Sequence, residues 1–424
     1  MNNSALKARL TVMNFLEFAV WGAYLTSMGR YLGDVGLGAN IGWFYSIQGI
    51  VSLFMPGLIG IVADRWIQAQ RLLSLCHLLA GIFMATAAVY GMQSGKNVEM
   101  SHLFTFYTLS VAFYMPTLAL SNSVAFTGLT NAGLDTVKAF PPIRVFGTIG
   151  FICTMWIVDL LGFMTSYNQF FVSAGLSFVL AVYSLTLPHC PVSESHDRKS
   201  LFQALGLDAF KLFKQRKMAV FFIFSMLLGV SLQITNGYAN PFINSFAAEA
   251  EYVGTFGVEH AGILISLSQI SETCCILLIP FFMKRFGIKR VMMIAMLAWV
   301  FRFGLFAIGD PGQGVWLLIL SMIVYGVAFD FFNVSGALYV EQETSDDIRS
   351  SGQGLFMIMT NGLGASIGTL VAQYIVNHFT MPQIVDGIFY QVGEWSTVWF
   401  IFAAYALVVL VFFTFIFKDS KKKA

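Results

Sequence analysis

Long apolar runs separated by short polar turns dominate the sequence. A helix needs about 20 mainly apolar residues to cross a bilayer, and about twelve segments of this chain reach that length. They cover roughly residues 9–31, 41–63, 71–92, 101–130, 142–162, 168–188, 217–247, 258–283, 289–309, 314–341, 350–379 and 395–417. The pattern predicts an all-α polytopic membrane protein with twelve transmembrane helices, several of them long enough to tilt or bend.

One sizeable polar stretch, from His189 to Lys217, divides the predicted helices into six and six. We therefore predict an N-terminal six-helix bundle over residues 1–190, a cytoplasmic central loop over 191–216 and a C-terminal six-helix bundle over 217–424. Basic turns and Ile-Arg pairs recur at equivalent places in the two halves, which suggests duplication of a six-helix unit. Transporters built from such repeats bind their substrate near the bilayer midplane.

The composition agrees with a membrane protein, because 57% of residues are apolar and only 11% are charged. A soluble domain would carry about 25% charged residues. The five cysteines are scattered through the chain without a disulfide framework or zinc-ligand spacing, so we expect buried thiols and predict no cofactor or metal.

The basic residues predict the orientation in the membrane. If both termini are cytoplasmic, only Arg30, Lys96, Arg144 and Arg302 of the 24 Lys and Arg residues lie outside the cytoplasmic segments. This asymmetry follows the positive-inside rule, which makes the opposite topology hard to defend. We interpret the basic C-terminal tail as part of the same topology signal rather than as a nucleic-acid site.

Polar side chains inside the predicted spans are the candidates for chemistry. Placing an acid at the centre of a membrane helix costs about 2.5–3.5 kcal/mol or more, so such acids usually face a cavity or a partner. Helical spacing gathers the polar residues and one aromatic residue onto shared faces. These faces hold Arg144, Thr148 and Phe151; Gln233, Asn236 and Asn240; Gln269 and Glu272; and Asp330 and Asn333, with Phe329 and Phe331 alongside.

This set of side chains suits a small, uncharged, hydroxyl-rich ligand that contains a flat ring. Amides and an arginine pair with a base edge, carboxylates accept from sugar hydroxyls, and phenylalanine stacks on a ring. Structural roles remain open for each group. Arg144 could reach the interface, the amides could join helices, and the acids could form pairs with Arg144 or Arg302.

Several motifs, in matching order, resemble the bacterial nucleoside:proton symporters of the major facilitator superfamily. They are the Gly-x-x-x-Asp-Arg sequence at 60–65, FPPIRVFGTIGF at 140–151, LQITN at 232–236, SQISE at 268–272 and YGVAFDFFN at 325–333. The resemblance runs nearly end to end. It implies the major facilitator fold, two six-helix bundles that rock about a central site, and proton-driven nucleoside uptake through a bacterial inner membrane.

The resemblance also implies the residues of the site. The substrate-binding positions it assigns are Arg144, Thr148, Phe151, Gln233, Asn236, Gln269, Glu272, Phe329 and Asp330. Asp330 is the first candidate for the proton carrier and Glu272 the second. Glu17 is a further candidate. Relatives can carry glutamine at this position, so the glutamate here adds a third buried acid and a possible proton site. The expected partners are a nucleoside, protons and the lipid bilayer, without nucleic acid, and the expected state is a monomer.

Two other transport functions fit the same fold and polar residues. A carrier for another neutral solute, such as a sugar, has the same fold, and a nucleoside uniporter would use the acids as ligands only. An enzyme is the weakest alternative, because the histidines, including His77, are expected near span ends or turns. Arg302 is expected to reach the interface or an acid. Gly362, Gly364 and Gly368 indicate close helix packing rather than a phosphate loop.

Overall fold

A computed structural model describes residues 3–190, 207–344, 349–385 and 388–417. The first half is helical. Its helices are α1 (Asn3–Gly22), α2 (Met28–Asp34), α3 (Ile41–Arg65), α4 (Ala69–Ser94), α5 (Met100–Tyr114), α6 (Thr117–Asn131), α7 (Thr136–Leu160) and α8 (Asn168–Ser184). Short 3-10 turns cover Gly38–Asn40 and Phe163–Thr165.

The second half begins with a 3-10 segment, Leu207–Lys214, within the predicted central loop. The helices that follow are α9 (Arg216–Ser245), α10 (Phe256–Glu259), α11 (Ala261–Ile308), α12 (Val315–Glu343), α13 (Arg349–Met357), α14 (Ala365–Phe379) and α15 (Trp395–Ile416). A π-helical segment, Ile358–Gly364, joins α13 to α14, and a 3-10 turn covers Phe246–Ala248.

The described residues fall into two compact units. One contains residues 3–40 and 50–190, and the other contains residues 41–49 and 207–417. The first nine residues of α3, Ile41–Gly49, therefore pack with the second half of the chain, although the sequence places them in the first.

Nine helical stretches within the described residues are long and apolar enough to cross a membrane. One of them, α11, contains two of the predicted spans, because its arms meet at Gly287, where φ is 75°. Glycine adopts this backbone conformation at no steric cost. The nine stretches account for ten of the twelve predicted spans. The other two correspond to α1 and to the 17-residue α8, which are too short or not apolar enough to be counted with the nine, so each predicted span contains a helix.

Two predicted spans are interrupted. The span predicted over residues 9–31 ends as α1 at Gly22, and α2 begins only at Met28. The fourth span breaks at Pro116, between α5 and α6. Proline lacks a backbone N–H and crowds the preceding turn, which explains this second break.

A β-hairpin departs from the all-α prediction. Strand β1 (Thr380–Val385) pairs antiparallel with β2 (Ile388–Gly393), and Thr380 lies opposite Gly393. The Gln391 amide donates a hydrogen bond to Thr380 Oγ1 at 2.8 Å. The Trp395 indole N–H then donates to the Gln391 carbonyl at 2.7 Å, which ties the hairpin to the start of α15. The hairpin occupies the connection predicted between the last two spans.

Glycines bring α1 and α7 into backbone contact in the first unit. A Cβ on Gly150 would lie 2.1 Å from the Phe15 carbonyl oxygen, and one on Gly22 would lie 2.4 Å from the Phe151 carbonyl oxygen. Small residues permit such approach between membrane helices. This contact holds the polar face of α7 close to α1.

The second unit uses the same device. A Cβ on Gly364 would lie 2.3 Å from the Met226 carbonyl oxygen, and one on Gly368 would lie 2.6 Å from Val230 Cα. The predicted role of these two glycines in helix packing is confirmed. On the facing helix, a Cβ on Gly229 would lie 2.2 Å from the carbonyl oxygen of Thr360, within the π-helical segment.

Candidate functional site

The α7 face of the first unit carries the predicted stripe of Arg144, Thr148 and Phe151. The Arg144 guanidinium carbon lies 3.9 Å from the centroid of the Phe18 ring on α1. Phe151 is 7% exposed and meets Trp21 edge to face, with ring centroids 6.3 Å apart. Thr148 lies half-buried between them along the helix. Two residues of α1 thus contact two of the three predicted site residues.

Glu17 lies in a buried polar network of the first unit. Its carboxylate Oε2 is 2.9 Å from His77 Nε2, and both side chains are 0% exposed. Thr117 Oγ1 is 2.5 Å from Glu17 Oε1 and 2.5 Å from the Tyr114 carbonyl oxygen. The other ring nitrogen of His77 is 3.1 Å from Ser177 Oγ.

The expectation that His77 lies near a span end or turn is wrong. His77 lies inside α4, two turns from its start, and is fully buried. A lone histidine in an apolar run gives no sign of its partner, and Glu17 is 60 residues away in sequence. The sequence did contain one signal for this pair: an acid, Glu17, and a histidine, His77, both lie within predicted spans of the same bundle.

In the second unit, the amides of α9 interact with each other. The Asn236 amide donates a hydrogen bond to Gln233 Oε1 at 2.9 Å, and Gln233 is 7% exposed. This hydrogen bond does not use the Gln233 amide N–H groups or the Asn236 carbonyl oxygen. Together they present a donor and an acceptor, which is the pattern a base edge requires.

The acids lie on α11 and α12 of the same unit. Asp330 is 5% exposed, whereas Glu272 is partly buried. Both carboxylates interact electrostatically with the Tyr325 hydroxyl and the Cys275 thiol, so these two side chains mark their common neighbourhood. Tyr325 also stacks on Phe329, with parallel rings 5.6 Å apart. Neither Tyr325, which begins the YGVAFDFFN motif, nor Cys275 is among the site residues predicted from the sequence.

Gln269 precedes Glu272 on α11 and is 9% exposed. Its Oε1 atom is buried and accepts no hydrogen bond from any residue that the structure describes. A buried acceptor without a partner costs about 1–3 kcal/mol. Such an atom is suited to accept a hydrogen bond from a ligand.

Arg302 differs from its expected role. It is 2% exposed, and its Nη1 donates to the Ser321 carbonyl at 2.9 Å and to Ser268 Oγ at 3.3 Å. Its guanidinium carbon lies 4.4 Å from the Tyr325 ring centroid. Within the described ranges it forms no ion pair with an acid, so the expectation that it reaches an acid or the interface is wrong.

A small cavity in the second unit adjoins the predicted site. Its lining includes Phe329, Asn333, Thr360 and Asn361. A larger cavity of about 470 Å³ lies between α11 and α15, but its walls are apolar and contain none of the predicted site residues. No cluster of three His, Cys, Asp or Glu suited to a metal occurs in the part of the chain that the structure describes.

Comparisons with known proteins give the family. The profile of the family described as "Nucleoside H+ symporter" matches residues 4–422. The chain is 48% identical to the xanthosine permease of Escherichia coli over 418 residues, which cover 98% of this chain and 96% of the relative. It is also 48% identical to the nucleoside permease NupG of Escherichia coli, over 97% of this chain and 96% of that protein.

Solved structures agree. A crystal structure of the nucleoside transporter NupG superposes with a TM-score of 0.87 at 46% identity, and the match covers 99% of this chain and 100% of that one. A POT family peptide transporter superposes with a TM-score of 0.71 at 13% identity, which shows a shared fold only. The protein is a multi-pass membrane transporter with the major facilitator fold and not an enzyme, and it belongs to the nucleoside H+ symporter family.

Proposed function

We propose that this protein imports purine or pyrimidine nucleosides together with protons by alternating access, and that Asp330 carries the proton. The observation that supports this most is the neighbourhood of Asp330. A nearly buried carboxylate shares its surroundings with Glu272 and with the stacked Tyr325–Phe329 pair. Proton-binding and ring-binding groups are therefore close together on α11 and α12.

We assign the base to the amide and aromatic groups. Gln233 and Asn236 offer a donor and an acceptor to its edge, and Phe329 offers a face for stacking. Arg144, Thr148 and Phe151 supply the corresponding contacts from the first unit. The contact with Phe18 positions the Arg144 guanidinium, which can donate directed hydrogen bonds to a carbonyl of the base.

We assign the ribose to Glu272 and Gln269. A carboxylate accepts hydrogen bonds from two hydroxyl groups, and the Gln269 carbonyl oxygen needs a donor. Permanently anionic substrates fit this set poorly, because both acids would repel them. The assignment favours nucleosides over nucleotides.

Coupling arises if the nucleoside binds more tightly to the protonated form of Asp330. A proton gradient then drives accumulation, because binding and release of the proton are linked to binding and release of the nucleoside. Glu272 is the second candidate for the carrier and Glu17 a further one. We also propose that the protein is a monomer in a bacterial cytoplasmic membrane, with both termini in the cytoplasm and no nucleic-acid partner.

The test is uptake of labelled uridine and adenosine into proteoliposomes, with and without an inward proton gradient. We expect gradient-dependent accumulation in the native protein. Asp330→Asn should strongly reduce accumulation and retain exchange of external for internal nucleoside. The control is Asn333→Asp, which adds an acid one turn from Asp330. It tests whether any change of charge on α12 alters accumulation in the same way.

Each other outcome contradicts a specific part of the proposal. Undiminished accumulation by Asp330→Asn would exclude this residue as the carrier. Equilibration that ignores the gradient would mean a uniporter, with the acids as ligands only. Absence of uptake for both nucleosides would point to another neutral solute, such as a sugar.

A further inference from the structure

Glu17, His77 and Ser177 form one hydrogen-bonded chain in the first unit. Ser177 Oγ is 2.9 Å from the His77 carbonyl oxygen and 3.1 Å from His77 Nδ1. When the hydroxyl donates to the carbonyl, Ser177 Oγ accepts a hydrogen bond from Nδ1, and the other ring nitrogen faces Glu17.

His77 Nε2 and Glu17 Oε2 are 2.9 Å apart, which is a hydrogen-bond distance, so a hydrogen lies between them. In the protonated form of the pair, this hydrogen is shared as a carboxylic acid with a neutral imidazole or as a carboxylate with an imidazolium. Both forms are neutral overall. The form that lacks the proton is a carboxylate with a neutral imidazole, and it places a net negative charge in a site with 0% exposure.

Titratable groups on several helices lie near this pair. Cys76 on α4 and Tyr114 on α5 interact electrostatically with Glu17, and the Tyr114 hydroxyl donates to the Glu17 carbonyl at 2.8 Å. Arg144 on α7 and Tyr24, which follows α1, interact in turn with Tyr114. Thr117 on α6 and Ser177 on α8 place hydroxyl groups against the pair.

The pair is connected to the nucleoside-binding face through α1. Phe18, next to Glu17, lies under the Arg144 guanidinium. Trp21, one turn later, contacts both Tyr114 and Phe151. A shift of α1 that separates Glu17 from His77 would therefore move the groups that hold Arg144 and Phe151.

We infer that Glu17 and His77 form a second proton-binding site, in the N-terminal bundle, whose occupancy sets the nucleoside affinity of the Arg144–Phe151 face. When the pair releases its proton to water, it changes from neutral to a single negative charge, and the cost of burying that charge favours a movement of α1 away from α4 that lets water reach Glu17. Rebinding of a proton from water restores the neutral pair. The effect on affinity rests on the proposed function, whereas the proton site itself does not.

The experiment measures how nucleoside affinity changes with pH in Asp330→Asn, which lacks the proposed carrier. We expect the Kd for uridine or adenosine to rise at least about fivefold between about pH 6 and about pH 9. This interval covers the usual range of histidine titration. Adding Glu17→Gln should reduce that change at least about threefold, because the amide keeps the hydrogen bond and cannot release a proton. His77→Gln provides a second variant in case Glu17→Gln does not fold.

The matched control is Glu99→Gln in the same background. Glu99 is 3.0 Å from His102 Nδ1, but the two side chains are 70% and 57% exposed. It should leave the pH dependence unchanged. If Glu17→Gln and His77→Gln also leave it unchanged, the coupling of this pair to affinity is excluded.

A measurement without substrate separates the two proposals. Infrared difference spectra between acidic and alkaline pH should contain a carboxyl or imidazolium signal that Glu17→Gln removes. Identical spectra for the native protein and Glu17→Gln would overturn the proton site. If the spectra differ but neither nucleoside binds the native protein, the proton site stands and the proposed substrate fails.

Discussion

The Arg144 guanidinium lies over the face of Phe18, with 3.9 Å from its central carbon to the ring centroid. A cation placed over an aromatic ring gains about 0.5–2 kcal/mol, and the contact also favours this position of the guanidinium. The position of a proposed substrate ligand on α7 thus depends on an apolar residue of α1 that has no polar group of its own.

Phe18→Leu should weaken nucleoside binding by roughly 2- to 30-fold, which is the contribution of the lost ring converted to affinity. Phe18→Trp should retain binding, since tryptophan offers a stronger face. Isothermal titration on purified protein gives both values. Phe83→Leu is the control, because Phe83 stacks on Phe113 without a cation. Equal losses from Phe18→Leu and Phe83→Leu would exclude a specific role for the Arg144 contact.

Gly150→Ala should destabilise the first unit. The added methyl group would lie 2.1 Å from the Phe15 carbonyl oxygen, so α1 and α7 must separate. We expect a loss of about 1–3 kcal/mol, as for other overpacked sites, and a lower melting temperature in detergent. The control is Gly175→Ala on α8, where a Cβ meets nothing within 4 Å. This substitution should be neutral or slightly stabilising, and a melting temperature for Gly150→Ala at or above that of Gly175→Ala would contradict the close approach.

Gln269→Leu should stabilise the protein and weaken nucleoside binding. It removes a buried acceptor that has no partner among the described residues, a gain of about 1–3 kcal/mol, and it also removes a proposed ribose ligand. Thermal melting and titration with uridine, on one preparation, measure the two effects. If Gln269→Leu lowers the melting temperature, the acceptor is satisfied in the free protein.

The control for that substitution is Gln169→Leu on α8. Gln169 is also buried, but its amide donates to the carbonyls of Met164 and Ser166 at 3.2 and 3.0 Å, and Ser27 donates to its Oε1 at 2.9 Å. Removing these hydrogen bonds leaves several groups unsatisfied, so Gln169→Leu should destabilise. We therefore expect the same substitution to raise the melting temperature at Gln269 and to lower it at Gln169.

Arg302→Lys should lower stability even though it keeps the positive charge. An ammonium group reproduces neither the stacking on Tyr325 nor the paired contacts to Ser321 and Ser268. We expect a loss of about 1–3 kcal/mol from these buried hydrogen bonds, measured by thermal melting. Arg290→Lys, at an exposed position, is the matched control and should leave the melting temperature unchanged. Similar shifts from both substitutions would show that the guanidinium plane is not needed.

Much of the fold was predictable from hydropathy alone, since a membrane helix must be long and apolar whatever its neighbours are. Helical periodicity also placed Arg144, Thr148 and Phe151 on one face correctly, because that relationship lies within a single helix. The break at Gly287, the interrupted first span and the β-hairpin depended on local backbone geometry, which apolar length does not specify.

The sequence by itself determined the membrane class, the helical spans and the polar faces that carry the candidate site. Only the tertiary structure decided that Glu17 pairs with His77 and that Arg302 lies against Tyr325 rather than an acid. The physical reason is that spacing along a chain defines the faces of one helix, whereas side-chain packing between helices decides which faces meet. An acid within an apolar run can be recognised from the sequence, whereas its partner can be identified only in the folded structure.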